Sequence, residues 1–315
     1  MLIAQFSPGV GVAGNNAIFK DSNIIVSWAS NAEVSRGYLD ISDTNYTING
    51  SNKVSFGSIN NVLGPASGNS SNVISLGDHG SITLTFDHYI IDDAGPDFCI
   101  FSNSFDNQFL ELAFVEVSSD GVHFTRFPNT SLTPINQQVN GFGYLDPTHI
   151  HNLAGKFLVG YGQPFDLSEI NDPLVDVQKI THLRLIDVVG NIDLDYATFD
   201  TQDNPINDPY PTPFASGGFD LEAVGLINIG SSILNANQFE NQKVKIYPNP
   251  ANQKLNIINY LGEIEIYNNQ GRLLKNTKLT NNSASVDIQD LPDGMYFIKG
   301  KNETYVINQK LIVKH

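Results

Sequence analysis

The stretch Phe109-Leu110-Glu111-Leu112-Ala113-Phe114-Val115-Glu116-Val117, followed by Ser118-Ser119-Asp120-Gly121 and then Val122-His123-Phe124-Thr125-Arg126-Phe127, decides the fold class. Its first run is too short and too rich in β-branched and aromatic residues for a helix, and Asp-Gly supplies the positive φ angles of a tight turn, so the segment reads as a β-hairpin. Within the first run the apolar phase moves from Leu110, Leu112 and Phe114 to Val115 and Val117, which predicts a β-bulge. Upstream, Ser81-Ile82-Thr83-Leu84-Thr85-Phe86 alternates apolar and hydroxyl residues, as a half-buried strand does. Phe98-Cys99-Ile100-Phe101 follows the turn Asp92-Asp93-Ala94-Gly95-Pro96 as a continuous apolar run suited to an interior. Downstream, Leu183 to Val189 and Leu221 to Ile227 read as two more strands, separated by a long acidic, proline-rich loop from Gly190 to Gly218. The one helical signal, Asp166-Leu167-Ser168-Glu169-Ile170, is limited to about one turn by Pro173. The pattern predicts an all-β fold, with a jelly-roll-like β-sandwich as its main body.

The chain has 315 residues, enough for about two domains. Residues 1–235 carry 7 basic and 26 acidic side chains, and residues 236–315 carry 10 and 7, so the charge changes sign along the chain. The polar run from Asn228 to Gln238 has no periodicity and reads as a linker. The predicted organisation is an acidic body over 1–229, a linker over 230–243 and a second domain over 244–315.

A formal charge of -16 repels a phosphate backbone and excludes nucleic acid as a natural partner. No stretch approaches the roughly 20 apolar residues that span a bilayer, which predicts no membrane-crossing helix. The single cysteine, Cys99, lies in an apolar run and reads as a buried hydrophobe, and core packing is the reading of the sole tryptophan, Trp28. The opening Met1-Leu2-Ile3-Ala4-Gln5-Phe6 reads as the last residues of a signal peptide, with the true start upstream.

Residues 244–315 resemble, along their whole length, the type A sorting domain of the type IX (Por) secretion system of certain Gram-negative bacteria. The carrying pieces are Val244-Lys245-Ile246-Tyr247-Pro248-Asn249-Pro250, then Glu263-Ile264-Glu265-Ile266-Tyr267-Asn268 with Gly271. They continue with Leu291-Pro292-Asp293-Gly294-Met295-Tyr296-Phe297-Ile298 and the ending Lys310-Leu311-Ile312-Val313-Lys314. Their strand and turn pattern independently predicts a small immunoglobulin-like β-sandwich of about seven strands. The resemblance implies export through the periplasm, recognition by the type IX secretion machinery through residues 244–315, and a final location that is extracellular or on the outer-membrane surface.

The body, over about residues 50–228, resembles a family of uncharacterised cell-surface proteins of the same kind of bacteria. It does so in Val73-Ile74-Ser75-Leu76-Gly77-Asp78-His79-Gly80, Gly95-Pro96-Asp97-Phe98, the hairpin above, and Gly217-Gly218-Phe219-Asp220-Leu221-Glu222-Ala223-Val224. That resemblance implies a lectin-type jelly roll. Because some relatives accompany outer-membrane cobalamin uptake, it also implies a corrinoid as an alternative ligand.

Catalytic templates fail: the 7 histidines include no His-Glu-x-x-His, and no Gly-x-Ser-x-Gly elbow or phosphate loop occurs. His149 and His151 would share a face on a strand and form a candidate metal pair. Glu111 and Glu116 are the candidate acid pair for an extracellular hydrolase acting on polysaccharide. Each sits in a strand pattern whose other face is apolar, which predicts solvent-facing positions instead. Grouped loop carboxylates suit calcium, a hard cation that accepts irregular oxygen ligands. Asp92, Asp93 and Asp97 form one candidate group. The other comprises Asp193 and Asp195 with Asp200, Asp203 and Asp208, near Asp220 and Glu222. Tyr144, Tyr161, Tyr210 and Phe214 are the candidate ligand-binding platform for a flat ligand or sugar ring. The reading is an exported, non-catalytic, calcium-stabilised module that binds a glycan or small molecule.

Overall fold

The computed structural model describes residues 6–233, 244–258, 260–281, 283–301 and 306–315. Residues 1–5, most of the stretch read as a signal-peptide end, and 234–243, most of the expected linker, lie outside the described residues. The chain divides into two compact units, Met1–Ile233 and Leu234–His315. Regular structure is almost entirely strand; the exceptions among the described residues are the single-turn 3-10 helices Ile59–Val62, Pro147–His149 and Leu167–Glu169. The last of these is the predicted helical turn, with Asp166 accepting from the Ser168 amide at its start.

Among the described residues the body has two main antiparallel sheets and a small two-stranded one, Thr130–Ser131 with Ile150–His151. In the first, Ile18–Phe19, Tyr161–Phe165, Phe98–Ser102, Asp220–Leu226 and Ser27–Trp28 lie side by side, with Ile74–Ser75 also paired to Asp220–Leu226. In the second the order is Leu153–Ala154, Ala113–Ser118, Ile180–Asp187, Ser81–Ile90 and Ile229–Ser232, with Asn31–Ser35 on Ser81–Ile90 and Thr125–Arg126 on Ala113–Ser118. Each successive long strand, from Ser81–Ile90 through Asp220–Leu226, crosses to the other sheet, as in a jelly roll. Residues 230–232, read from sequence as linker, instead continue the second sheet, because Ile229 and Ser232 pair with Ile90 and His88.

One apolar core joins the two sheets: Ile82, Leu84, Phe86, Val115, Val117, Leu183 and Leu185 from the second meet Phe98, Ile100, Leu221, Val224 and Leu226 from the first. The alternation of Ser81–Phe86 follows from this, its aliphatic residues facing the core. Phe98–Ser102 is buried on both faces, because Cys99 and Phe101 turn outward under Ile18, Ile25 and Trp28. The Trp28 and Phe101 rings lie 5.6 Å apart. The phase change in Leu110–Val117 has the same cause and is not a bulge. Ala113, Val115 and Val117 face the central core, Leu110, Leu112 and Phe114 face a second cluster with Leu145, Ile150 and Ile206, and the pairing of Ala113–Ser118 with Ile180–Asp187 runs without a shift. The expected hairpin is present, with Gly121 at φ +75° and Asp120 accepting from the amides of Val122 and His123.

Phe98, Phe127 and Phe165 form an aromatic triad with centroid separations of 5.3, 5.8 and 5.2 Å. Phe98→Ala should lower stability by about 3–5 kcal/mol through lost transfer energy and the cavity left behind. A fall in the urea midpoint with unchanged slope would confirm it, and an unchanged midpoint would refute it.

The tail unit contains, among its described residues, a sheet of Lys245–Tyr247, Lys254–Ile258 and Ser283–Asp287 and a sheet ordered Leu273–Leu279, Gly262–Asn268, Gly294–Lys301, Val306–Val313. Ile246, Leu255, Ile257, Ile264, Ile266, Ile298 and Leu311 share its core. The sequence motifs have visible physical roles. Asn249 accepts from the Ile312 amide and donates to the Lys310 carbonyl, each at 2.8 Å, tying the opening motif to the last strand. Asp293 accepts from the His315 amide at 2.9 Å.

Candidate functional site

Strand register places several polar residues at one rim of the body. Asp187 ends its strand opposite Ala113, Asp220 begins its strand opposite Ser75, and Leu221 lies opposite Ser102. The two rims are joined where the Asp187 carboxylate accepts from the Phe219 amide at 2.6 Å. Gly218 permits that approach: it has φ +70°, and a Cβ there would lie 2.6 Å from Asp187 Oδ1.

The loops leaving this rim enclose a pocket of about 230 Å³. Asn103, Glu111 and Asp220 supply polar groups, and Phe56, Phe105, Phe109, Phe142 and Phe214 supply an aromatic wall. The rings form a chain, with centroids 5.8 Å apart for Phe105 and Phe109, 6.5 Å for Phe109 and Phe142, and 5.5 Å for Phe142 and Phe214. Phe105, Phe142 and Phe214 are 63%, 69% and 42% exposed, an unusual display for rings this large.

Beneath the rings the chemistry is acidic. Asp220 donates nothing and accepts from the Ser75 hydroxyl and from Asn103 Nδ2, the latter at 2.6 Å. Burial pushes its carboxyl up to about 7 against those bonds and the nearby Arg36 charge. Arg36 itself is held by the carbonyls of Phe56, Gly57 and Ser75. Asp208 accepts from the Leu112 amide at 2.9 Å, and burial holds its carboxyl well above the ordinary range. Asp187 is raised likewise, first by burial and then by Asp78 and Asp208. Glu111, half-buried against the pocket, is raised by burial and by the charges of Asp220, Asp208 and Asp187.

Of the expected platform, Phe214 lines this pocket. Tyr144 is exposed on the loop beyond Phe142 and is outside the pocket wall. Tyr161 faces Phe19, with ring centroids 5.4 Å apart. Tyr210 is buried, its hydroxyl donating to Asp40 at 2.7 Å, so it has no face to offer a ligand. Phe105, Phe109 and Phe142 were missed by the sequence reading. The available signal was Gly141-Phe142-Gly143, an aromatic residue between two glycines in a turn.

The acid pair does not converge. Glu116 is buried rather than solvent-facing, because the ladder sets it opposite both Arg126 and Arg184. Arg126 holds it at 2.9 Å and Arg184 at 2.5 Å, a cross-strand ion-pair cluster. His149 and His151 also diverge: His149 lies 4.0 Å from Asp146, while His151 stacks on Phe6 and approaches Glu169 at 3.6 Å. His151 borders a second pocket of about 450 Å³ whose Lys156, pushed down to about 8 by burial, donates to the Ile150 carbonyl.

Of the first carboxylate group, Asp92 and Asp97 come together with Asp166, each offering an oxygen within 4.8 Å of the others. Asp93 instead caps the Ala94 amide. Asp97 already accepts from Asn228 and from the Asp93 and Leu167 amides. In the second group, Asp193 accepts from the Asp195 amide in a turn and Asp200 closes the turn at Asn204. Glu222 takes the Ser67 hydroxyl and the Gly68 amide, and no three carboxylates of this second group offer oxygens within 4.8 Å of one another.

This fold is an all-β, two-unit protein with an acidic, aromatic-walled pocket in its larger unit. Residues 245–314 match the model of the secretion system C-terminal sorting domain of the Por type. The tail therefore marks a protein exported by the type IX route to the cell surface or extracellular space. No curated protein matches the chain. Among solved structures it is similar to PorZ, a bacterial surface component of the type IX secretion system of Porphyromonas gingivalis, at 17% identity and TM-score 0.21, over 30% of this chain and 14% of PorZ. It is also similar to the BSP domain of a biofilm associated protein, at 11% identity and TM-score 0.19, over 94% of this chain and 53% of that one. The chain thus spans about half or less of the length of either.

Among the described residues no helix is long and apolar enough to cross a membrane.

Proposed function

We propose that the body binds a ligand of sugar-ring size, presented at the cell surface or in the medium, without chemically transforming it. The observation that carries this reading is the row of exposed phenylalanines over a polar floor. Flat apolar rings stack on the C–H face of a sugar, while Asn103 and the carboxyls of Glu111 and Asp220 address its hydroxyls. The size favours a single ring over a corrinoid, since about 230 Å³ lies below the roughly 300 Å³ at which drug-sized sites begin.

The test is a glycan array followed by calorimetric titration of the full chain. Phe142→Ala combined with Phe214→Ala should weaken the bound glycan at least about tenfold, the sum of two stacking contacts. Equal binding by the double variant, or no glycan bound by the wild type, would overturn the reading. Saturable binding of cobalamin in a parallel titration would replace it with corrinoid capture.

A further inference from the structure

We propose that the aromatic-walled pocket of the body selects a positively charged sugar, a hexosamine with a free amino group, by setting its ammonium against Glu111. The proposal rests on the sugar-ring reading above and adds to it the charge of the ligand.

The pocket lining is one-sided in charge: it contains the carboxyls of Glu111 and Asp220 and no Lys, Arg or His. Arg36, whose charge reaches Asp220, gives its guanidinium hydrogen bonds to the carbonyls of Phe56, Gly57 and Ser75. The two acids have different duties. Both oxygens of Asp220 are held by protein donors, the Ser75 hydroxyl and Asn103 Nδ2, so this carboxyl anchors the floor. Glu111 is half-buried, and among the described residues no hydrogen bond or ion pair holds its side chain. Asn103 spends Nδ2 on Asp220, which leaves its Oδ1 as a second acceptor on the same lining. Packing sets Glu111 beside the start of the Asp220 strand: a Cβ added to Gly155 would meet the Glu111 carbonyl oxygen at 1.8 Å and the Phe219 ring at 3.2 Å.

Acceptors alone would suit any hydrogen-bond donor, and the wall narrows the choice. Its five rings are all phenylalanine, which presents a negative face and no hydroxyl, and such faces attract a cation within about 6 Å of the centroid. Around them, residues 1–235 carry 26 acidic and 7 basic side chains, a field that concentrates small cations at the body. A quaternary ammonium would use the rings but not Ser70, Ser71, Thr212 and Ser216, the neutral polar groups of the lining. A hydroxylated ring that bears an ammonium uses both. Burial holds the Glu111 carboxyl above its ordinary range, and a neighbouring ammonium favours the ionised form, so binding displaces the Glu111 proton. The other charged groups acting on Glu111, namely Asp187, Asp208 and Asp220, are acidic and do not compete with the ammonium.

The test is calorimetric titration of the full chain at about pH 6 with D-glucosamine, N-acetyl-D-glucosamine and D-glucose, which share a ring and differ at a single substituent. Glucosamine should bind at least about tenfold more tightly than either neutral sugar, and added salt should shrink the difference. Glu111→Gln should reduce the preference to about threefold or less. Glu33→Gln, which removes the same charge from an exposed strand position, should leave the preference unchanged. Where Glu111→Gln fails to fold, the wild type decides: the heat of glucosamine binding should vary with the ionisation heat of the buffer as the proton leaves, and that of glucose should not. Equal affinity for the three sugars, a preference retained in Glu111→Gln, or a glucosamine heat independent of buffer would overturn the charge assignment and leave the sugar reading standing. Binding of none of them, with no glycan bound on the array, would overturn both.

Discussion

Raising the pH from about 5 to about 8 should lower the melting temperature of the body by roughly 10 °C or more. Asp78 and Asp220 both have carboxyls pushed up to about 7, chiefly by burial. A carboxyl raised in the folded state binds its proton more tightly there than in the unfolded chain. Its contribution is fully present below about pH 4 and is lost as pH rises through about 7. Each group contributes on the order of 4 kcal/mol at most, and Glu111, Asp187 and Asp208 shift in the same direction. His182 works the other way, being held below its ordinary value by burial, but it is half-exposed and its effect is small. Trp28 is the sole tryptophan and lies in the body, so its fluorescence follows this unit alone. A melting temperature that stays level or rises between these pH values would contradict the burial of neutral carboxyls.

Deleting residues 234–315 should abolish delivery to the cell surface while leaving the body folded. The body closes its own core, with central contacts from both of its sheets, and the tail closes a separate one. The core of the body is made of body residues and that of the tail of tail residues, so deletion should remove an address and leave the body core in place. The expected readout is a normal Trp28 melt for the purified fragment together with its retention in the periplasm by fractionation. Surface exposure of the fragment at wild-type level would refute the role of the tail. A narrower variant, Asn249→Ala, removes the 2.8 Å ties between the opening motif and the final strand and should reduce delivery in the full chain.

The strands were legible because each obeys a local rule. Ser81–Phe86 alternates, Asp120-Gly121 turns, and the tail repeats its motifs in order. The phase change at Leu110–Val117 misled because a strand with two apolar faces mimics a bulge when the outer cover is unknown. Here that cover is Leu145, Ile150 and Ile206. The polar groups behind the rings were partly legible: Asp208 stood out as a loop carboxylate, Asp220 as a strand residue near that loop and Glu111 as a candidate acid, whereas Asp187 reaches this rim through a hydrogen bond from Phe219 that no local spacing encodes. The aromatic platform was legible at Phe214, which lines the pocket, and Tyr144 is exposed outside its wall. Tyr210 has a polar end that Asp40 satisfies inside. Of the further rings of the wall, Phe105 carries no local pattern that sets it apart from core phenylalanines, and Phe142 only its flanking glycines.

The strand Ser81–Ile90 is closed along one side by two pieces from opposite ends of the body. Asn31–Ser35 pairs with Ser81–Thr85, and Ile229–Ser232 covers the remainder near His88 and Ile90. The sheet is therefore zipped shut only when the first and last segments of the unit meet, so half of this seam stays open until residue 232 is free to dock. A chain cut at residue 229 would leave that length of backbone unpaired, an adhesive edge available to neighbouring copies. The natural place to divide the molecule is after Ile233, where the seam is complete.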